Sequence, residues 1–332
     1  MSIAMVAPAV APDLVADIGG TNVRFGLSDG SGHISDVRSL KCVDFAGIAE
    51  AVTAYLEEIA PTAPPLSGCF SVACPVQGDQ ITLTNSPWQF STEATRRLLG
   101  FERLDVINDF AAQALSLPHL TPGDMTQIGE GAPAPGAAMA AIGPGTGLGV
   151  SGLVPHAGSW SVVSGEGGHV TWAPADDRER EIHHALCQQY PHVSAERILS
   201  GSGLELLYQT LCQLRGEAGP RLESAAIMKH ATLGDSRIAI EAMAVFFGSL
   251  GSVAGDLALT LGAHGGVYIC GGIAARHVPL LAASTFRARF VSKGRFADYL
   301  AEVPTYVVTN GESGLIGAAA SLVANAREND ND

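Results

Sequence analysis

"ADIGGTNVRFGL", residues 16–27, is the stretch on which the fold of this chain turns. An apolar run, "LVADI" (14–18), ends in a carboxylate and two glycines, and "VRFGLSD" (23–29) follows with strand-like composition. Strand, tight turn, strand is the reading. Glycines at such a turn let the backbone approach a phosphate closely, with N–H groups and the Thr21 hydroxyl as donors. Asp17, at the strand end, offers the hard oxygens that magnesium takes, directly or through water. An ordinary β-hairpin with a Gly-Gly turn gives the same pattern.

Working outward, "GPGTGLGV" (143–150) repeats the arrangement with Thr146 at its centre. Two such turns, one in each half of the chain, suit two hairpins gripping one polyphosphate. Other phosphate loops do not fit. A Walker A loop needs Gly-Lys-Ser/Thr, and none of Lys41, Lys229 and Lys293 follows a glycine. A Rossmann fingerprint needs a helix after its glycines, whereas "LGVSGLV" (148–154) reads as strand. A third glycine pair, in "CGGIAAR" (270–276), ends a buried strand where a helix starts, and suits close approach of a base or ribose. A plain strand-to-helix turn explains it equally well.

Each half opens with a β-meander. Strands over 14–18, 23–29 and 33–40 precede a helix over 45–60, strands over 68–74 and 80–85, a helix over 92–100 and a strand over 103–107. "GEGAPAPG" (129–136) marks a boundary. Strands over 137–143, 148–154 and 159–164 then lead into helical sequence through 176–261, strands "GVYIC" and "TYVVT", and a last helix, 313–326, that returns to the first domain. The class is α/β in two related halves.

Composition narrows the function. The chain has 332 residues, enough for two domains, 47% of them hydrophobic and 16% charged. Nineteen basic residues face 33 acidic ones, for a net charge of −14, and no basic run occurs. This argues against nucleic acid as a partner. The six cysteines are scattered with no C-x-x-C pair, as expected of reduced thiols in the cytoplasm. "MSIAMVAPAVAP" (1–12) lacks the basic start of a signal peptide and reads as a disordered extension. Residues 242–275 are apolar but interrupted by Asp256, His264 and two glycine pairs. They read as a buried helix over about 236–261 and a buried strand, with no membrane span.

Polar residues then appear where a buried scaffold has no need of them. In "LDVINDFAAQALSL" (104–117), Asn108 and Asp109 sit between a strand end and an apolar helix. They read as helix caps, or as a carboxylate facing a ligand crevice at a strand's carboxyl end. "SGEGGHV" (164–170) sets Glu166 and His169 around two glycines, partners that sugar hydroxyls need, although a lone His reads equally as a satisfied core histidine. "HVSAERILSGSGL" (192–204) reads as a helix with Ser194 at its start, Glu196 in the first turn and Arg197 in its body. No H-E-x-x-H or G-x-S-x-G occurs, against a zinc protease or a serine hydrolase.

Taken in order over roughly 13–325, these segments resemble the bacterial glucokinase family, in the sugar-kinase, actin and chaperone ATPase superfamily. The resemblance implies a two-domain actin-like ATPase fold (ribonuclease H-like, α/β) with an inter-domain cleft. A smaller domain would comprise 13–130 plus 312–326, and a larger α+β domain 131–311. It implies ATP and Mg2+ as cofactors, D-glucose as substrate, a homodimer, a place at the entry to glycolysis and phosphorylation of the sugar 6-hydroxyl. Asp109 would be the general base, and Asn108, Asp109, Glu166, His169 and Glu196 would hold the glucose hydroxyls. Ala16, Asp17, Ile18, Gly19, Gly20 and Thr21, with Gly145, Thr146 and Gly147, would embrace the phosphates; Gly271 and Gly272 would lie near the adenosine, and Asp17 near the metal. The related repressor and kinase group carries a Cys-rich zinc segment, C-x-C-G-x-x-G-C-x-E. This chain has "TWAPADDRERE" (171–181) instead, as in the zinc-free branch, and the dozen residues before "LVADIGG" leave no room for a helix-turn-helix. Competing expectations are a kinase for another hexose, a catalytically weak sugar-sensing protein, a hydrolytic ATPase on this scaffold, or polyphosphate as donor.

Overall fold

A computed structural model describes residues 11–83 and 86–329. The extension expected over 1–12 lies outside the described residues through residue 10, as do the last two positions of the strand expected over 80–85. The chain divides into two compact units, one running to Leu120 and resuming at Gly311, the other Thr121–Asn310.

In chain order the first unit contains β1 (Asp13–Ile18), β2 (Asn22–Ser28), β3 (Ile34–Lys41), α1 (Ile48–Ile59), β4 (Ser67–Val72), β5 (Gln80–Thr82), β6 (Gln89–Ser91), α2 (Thr92–Leu99), β7 (Arg103–Asn108) and α3 (Asp109–Ser116). The second holds β8 (Met125–Gln127), β9 (Met139–Pro144), β10 (Leu148–His156), β11 (Ser159–Gly165), α4 (Asp177–Cys187), α5 (Gly201–Arg215), α6 (Ser224–Leu233), α7 (Arg237–Leu261), β12 (Gly266–Ile269), α8 (Gly272–Arg276), α9 (Val278–Ala283), α10 (Phe286–Val291), α11 (Ala297–Glu302) and β13 (Thr305–Val308). The last helix, α12 (Ser313–Asn329), belongs to the first unit.

The main sheet of the first unit has the order β3-β2-β1-β4-β7. β1, β2 and β3 form the antiparallel meander, while β4 runs parallel to β1 and β7 parallel to β4. The second sheet, β11-β10-β9-β12-β13-β8, repeats this plan: an antiparallel meander, two parallel strands, then β8 added at the edge. β8 precedes the Pro/Gly stretch 129–136 yet pairs with β13, so the chain enters the second unit before that stretch. Parallel strands buried on both faces need helices on each side. In the first unit α1 covers one side, where Ile48, Val52 and Tyr55 pack with Phe25 and Phe70. On Val15 and Cys69 lie Leu315, Ala318, Ala319 and Leu322 of α12.

The apolar helix α7 is long and apolar enough to cross a membrane, but Phe246, Phe247, Leu250 and Ala254 are buried in the core of the second unit. Trp172 is buried there too, its Nε1 donating to Ser249 Oγ of α7 at 3.1 Å.

Candidate functional site

β1 ends at Ile18, and the hairpin that follows closes through Gly19 N–H to the Asn22 carbonyl at 3.0 Å. Antiparallel register sets Asp17 directly opposite Arg24. Arg24 also donates through Nη1 to the Gly311 carbonyl, just ahead of α12. At the end of β7 two strands away, Asn108 rather than Asp109 is the N-cap of α3: its Oδ1 accepts from Phe110 N–H at 2.9 Å and Ala111 N–H at 3.2 Å. Its Nδ2 donates to the Cys74 carbonyl and to Asp109 Oδ1. Asp109 thus stands as the first residue of the helix, with Oδ1 also accepting from Phe110 N–H at 3.0 Å.

Asp17, Gly19, Asn22, Arg24 and Asp109 line one cavity of about 160 Å³. Burial, and after it the charge of Asp17, push the Asp109 carboxyl up to about 6, against the opposing pull of the Phe110 and Asn108 hydrogen bonds. Burial raises Asp17 too, opposed by the Arg24 guanidinium and the Ser71 hydroxyl. Two carboxylates in one pocket are the hard-oxygen donors a divalent cation takes. Among the described residues no three His, Cys, Asp or Glu side chains converge on a metal position, so a cation here would complete its shell with water and substrate oxygens.

In the second unit the pieces gather around Leu148, the first residue of β10. The turn Gly145–Gly147 closes through Gly145 N–H to the Gly147 carbonyl at 2.8 Å. Glu196 Oε2 accepts from Leu148 N–H at 2.9 Å, and a Cβ on Gly147 would fall 2.5 Å from that oxygen. Gly168 lies so near the Leu148 carbonyl that a Cβ would stand 2.1 Å from it, and Glu196 N–H donates to the Gly168 carbonyl. The segment carrying Glu166 and His169 is therefore laid against Glu196 and the glycine turn. Glu166 and His169 are exposed, and His169 lines with Glu196 a cavity of about 510 Å³. Gly271 joins the same neighbourhood. Its φ of +89° favours glycine, and a Cβ would meet the Pro144 carbonyl, at the end of β9, at 2.8 Å.

One local expectation is corrected. Residues 194–199 form turns, not the first turns of a helix; the helix is α5, capped by Ser200, whose Oγ accepts from Gly203 N–H. The amides that would start a helix are committed elsewhere: Ala195 N–H donates to the Val170 carbonyl, Glu196 N–H to Gly168, and Ser194 bridges Thr171. Arg197 stacks over the Tyr190 ring at 4.2 Å. Two contributors went unread in the sequence. Arg24 was legible, because an Asp17–Arg24 pair follows from hairpin register; His192, whose Nε2 contacts the His169 carbonyl at 3.0 Å, carried no sequence signal.

The family model described as Glucokinase matches residues 14–325. A glucokinase of Aromatoleum aromaticum is 48% identical over 312 residues, 94% of each chain. One of Paramagnetospirillum magneticum is 47% identical over 307 residues, 92% of this chain and 96% of that protein. Among solved structures, a glucokinase from an Antarctic psychrotroph superposes with a TM-score of 0.86 at 38% identity, covering 94% of this chain and 99% of that one. The fold is that of the actin-like two-domain ATPases, built of mixed α/β units.

Proposed function

The chain belongs to the glucokinase family, and from that premise we propose that it transfers the γ-phosphoryl group of ATP to the 6-hydroxyl of D-glucose, giving glucose 6-phosphate and ADP. The observation that carries this reading is Asp109. Asn108 takes the helix cap, and the neighbouring carboxylate lines a cavity with Asp17 and the first glycine turn.

Phosphoryl transfer relies mostly on positioning and charge stabilisation. Asp109 orients the 6-hydroxyl and accepts its proton as the oxygen–phosphorus bond forms. A carboxyl raised to about 6 is ionised at neutral pH and is a stronger base than an ordinary aspartate. Asn108, Glu166, His169 and Glu196 hold the other sugar hydroxyls. Residues Ala16 to Thr21 and the Gly145–Thr146–Gly147 turn take the phosphates through backbone N–H groups and hydroxyls, and Gly271 and Gly272 leave room for the adenosine. Asp17 would hold a magnesium ion, directly or through water, and that ion would supply positive charge against the phosphoryl oxygens. The setting we assign is the cytoplasm, at the entry to glycolysis, and a homodimer is checked by light scattering.

The test follows ADP release with MgATP and a panel of hexoses, in wild type and Asp109→Asn. Glucose-dependent release is expected in wild type. The variant should bind glucose within tenfold of wild type yet lose at least ~10²-fold in turnover, the low end for a general base. Near-wild-type turnover refutes the assignment of the base. Release without sugar makes the chain an ATPase, and preference for another hexose renames the substrate.

A further inference from the structure

Helix α12 touches both elements that carry the carboxylates of the first unit. At Gly314, in its first turn, a Cβ would come within 2.8 Å of the Asp17 carboxylate carbon. At Gly317 a Cβ would stand 1.8 Å from the Ala112 carbonyl oxygen and 2.5 Å from its carbon. Positions three apart lie on one helix face, so a single glycine edge of α12 abuts the end of β1 and the first turn of α3. Ala112 is three residues beyond Asp109 in that turn. On the sheet side, Leu315, Ala318, Ala319 and Leu322 pack with Val15 and Cys69, so α12 cannot withdraw from α3 without opening that core.

We propose that Gly317 is a positioning residue for phosphoryl transfer: by letting α3 sit directly on α12, it fixes where Asp109 stands relative to Asp17. The inference rests on Asp109 being the base. Alanine is the better helix former, so glycine at an interior helical position is explained by the approach of the Ala112 carbonyl rather than by propensity. A methyl at 317 forces that carbonyl away by more than 1 Å, from 1.8 Å to at least 3.0 Å, and α3, only eight residues long and beginning at Asp109, moves with it. A misplacement of about that size costs on the order of 10²-fold in rate when it reaches the reacting groups.

Steady-state kinetics with glucose and MgATP on wild type, Gly317→Ala, Asp109→Asn and the double variant test this. Wild-type glucose-dependent ADP release decides the glucose kinase reading, and Asp109→Asn decides the base; both are settled before Gly317 is judged. For Gly317→Ala the expected result is a turnover loss of about 10²-fold with the glucose KM moved less than tenfold. The double variant should turn over no more slowly than Asp109→Asn alone, because both changes remove one function. Wild-type turnover in Gly317→Ala, or independent losses that multiply in the double variant, overturns the proposal. If circular dichroism shows Gly317→Ala unfolded, Gly314→Ala replaces it. Its methyl meets the Asp17 side chain rather than backbone, and turnover should fall about tenfold; unchanged turnover overturns the proposal.

Discussion

Asparagine at position 109 removes a charge that the fold holds at a cost. The Asp109 carboxyl is raised from 3.8 to about 6, chiefly by burial and then by Asp17. A carboxyl with a raised folded-state value binds its proton more tightly folded than unfolded. Its contribution to stability is fully present below about pH 4 and is lost as pH rises through about 6. A rise of about two units corresponds to roughly 3 kcal/mol at pH 7.5, at 1.36 kcal/mol per unit. Asparagine has the same shape, and its amide oxygen still accepts from the Phe110 N–H. Asp109→Asn should therefore be more stable than wild type by up to about 3 kcal/mol at pH 7.5, narrowing to about 1 kcal/mol at pH 4.5. For a unit of this size that is roughly 5–10 °C in Tm. Scanning calorimetry of both proteins from pH 4.5 to 8, without sugar, nucleotide or metal, measures it. A variant no more stable than wild type at pH 7.5, or a margin that does not narrow toward acid, refutes the reasoning. The change that gains stability is also the one expected to lose turnover, a trade typical of catalytic groups.

Replacing Glu166 or His169 by alanine should raise the glucose KM at least about tenfold, as expected when a hydrogen bond to bound substrate is lost, with a smaller effect on turnover; an unchanged KM removes that residue from the sugar site. Glu179 of α4 pairs with Arg289 of α10 through both oxygens, at 2.8 and 3.0 Å, and its side chain is 2% exposed. Glu179→Gln leaves that arginine with only the more distant Asp176, at 4.0 Å, as a charge partner and should cost about 3 kcal/mol in urea unfolding, whereas a loss under about 1 kcal/mol would show the pair to be dispensable.

Local chemistry was legible where one short segment decides it. Alternation around Gly19–Gly20 and around Thr146 gave both meanders, and the Asn-Asp pair at 108–109 announced a strand end with polar business. The division of labour within that pair was not, because Asn and Asp cap helices almost equally well; only the hydrogen bonds show that Asn108 caps and Asp109 does not. The turn at 194–199 was misread as helix because its amides bond to residues 168 and 170, partners that no local pattern reveals. The approach of Gly317 to Ala112 is likewise a long-range contact, and in the sequence Gly317 is one small residue among several in "SGLIGAAASL".

The placement of α12 bears on how the protein is made. The first unit is assembled from both ends of the chain, whereas Thr121–Asn310 is continuous. A ribosome releases β1 and β4 long before Ser313–Asn329, and at ~5–20 residues per second the wait lasts on the order of tens of seconds. Through that interval Val15 and Cys69 lack their cover from Leu315, Ala318 and Leu322. The nascent first unit is then an open sheet with one apolar face uncovered, and the second unit itself gains β13 (Thr305–Val308) only just before α12 is made. Asp17 and Asp109, whose elements pack on α12, therefore acquire their final setting only once the end of the chain is released.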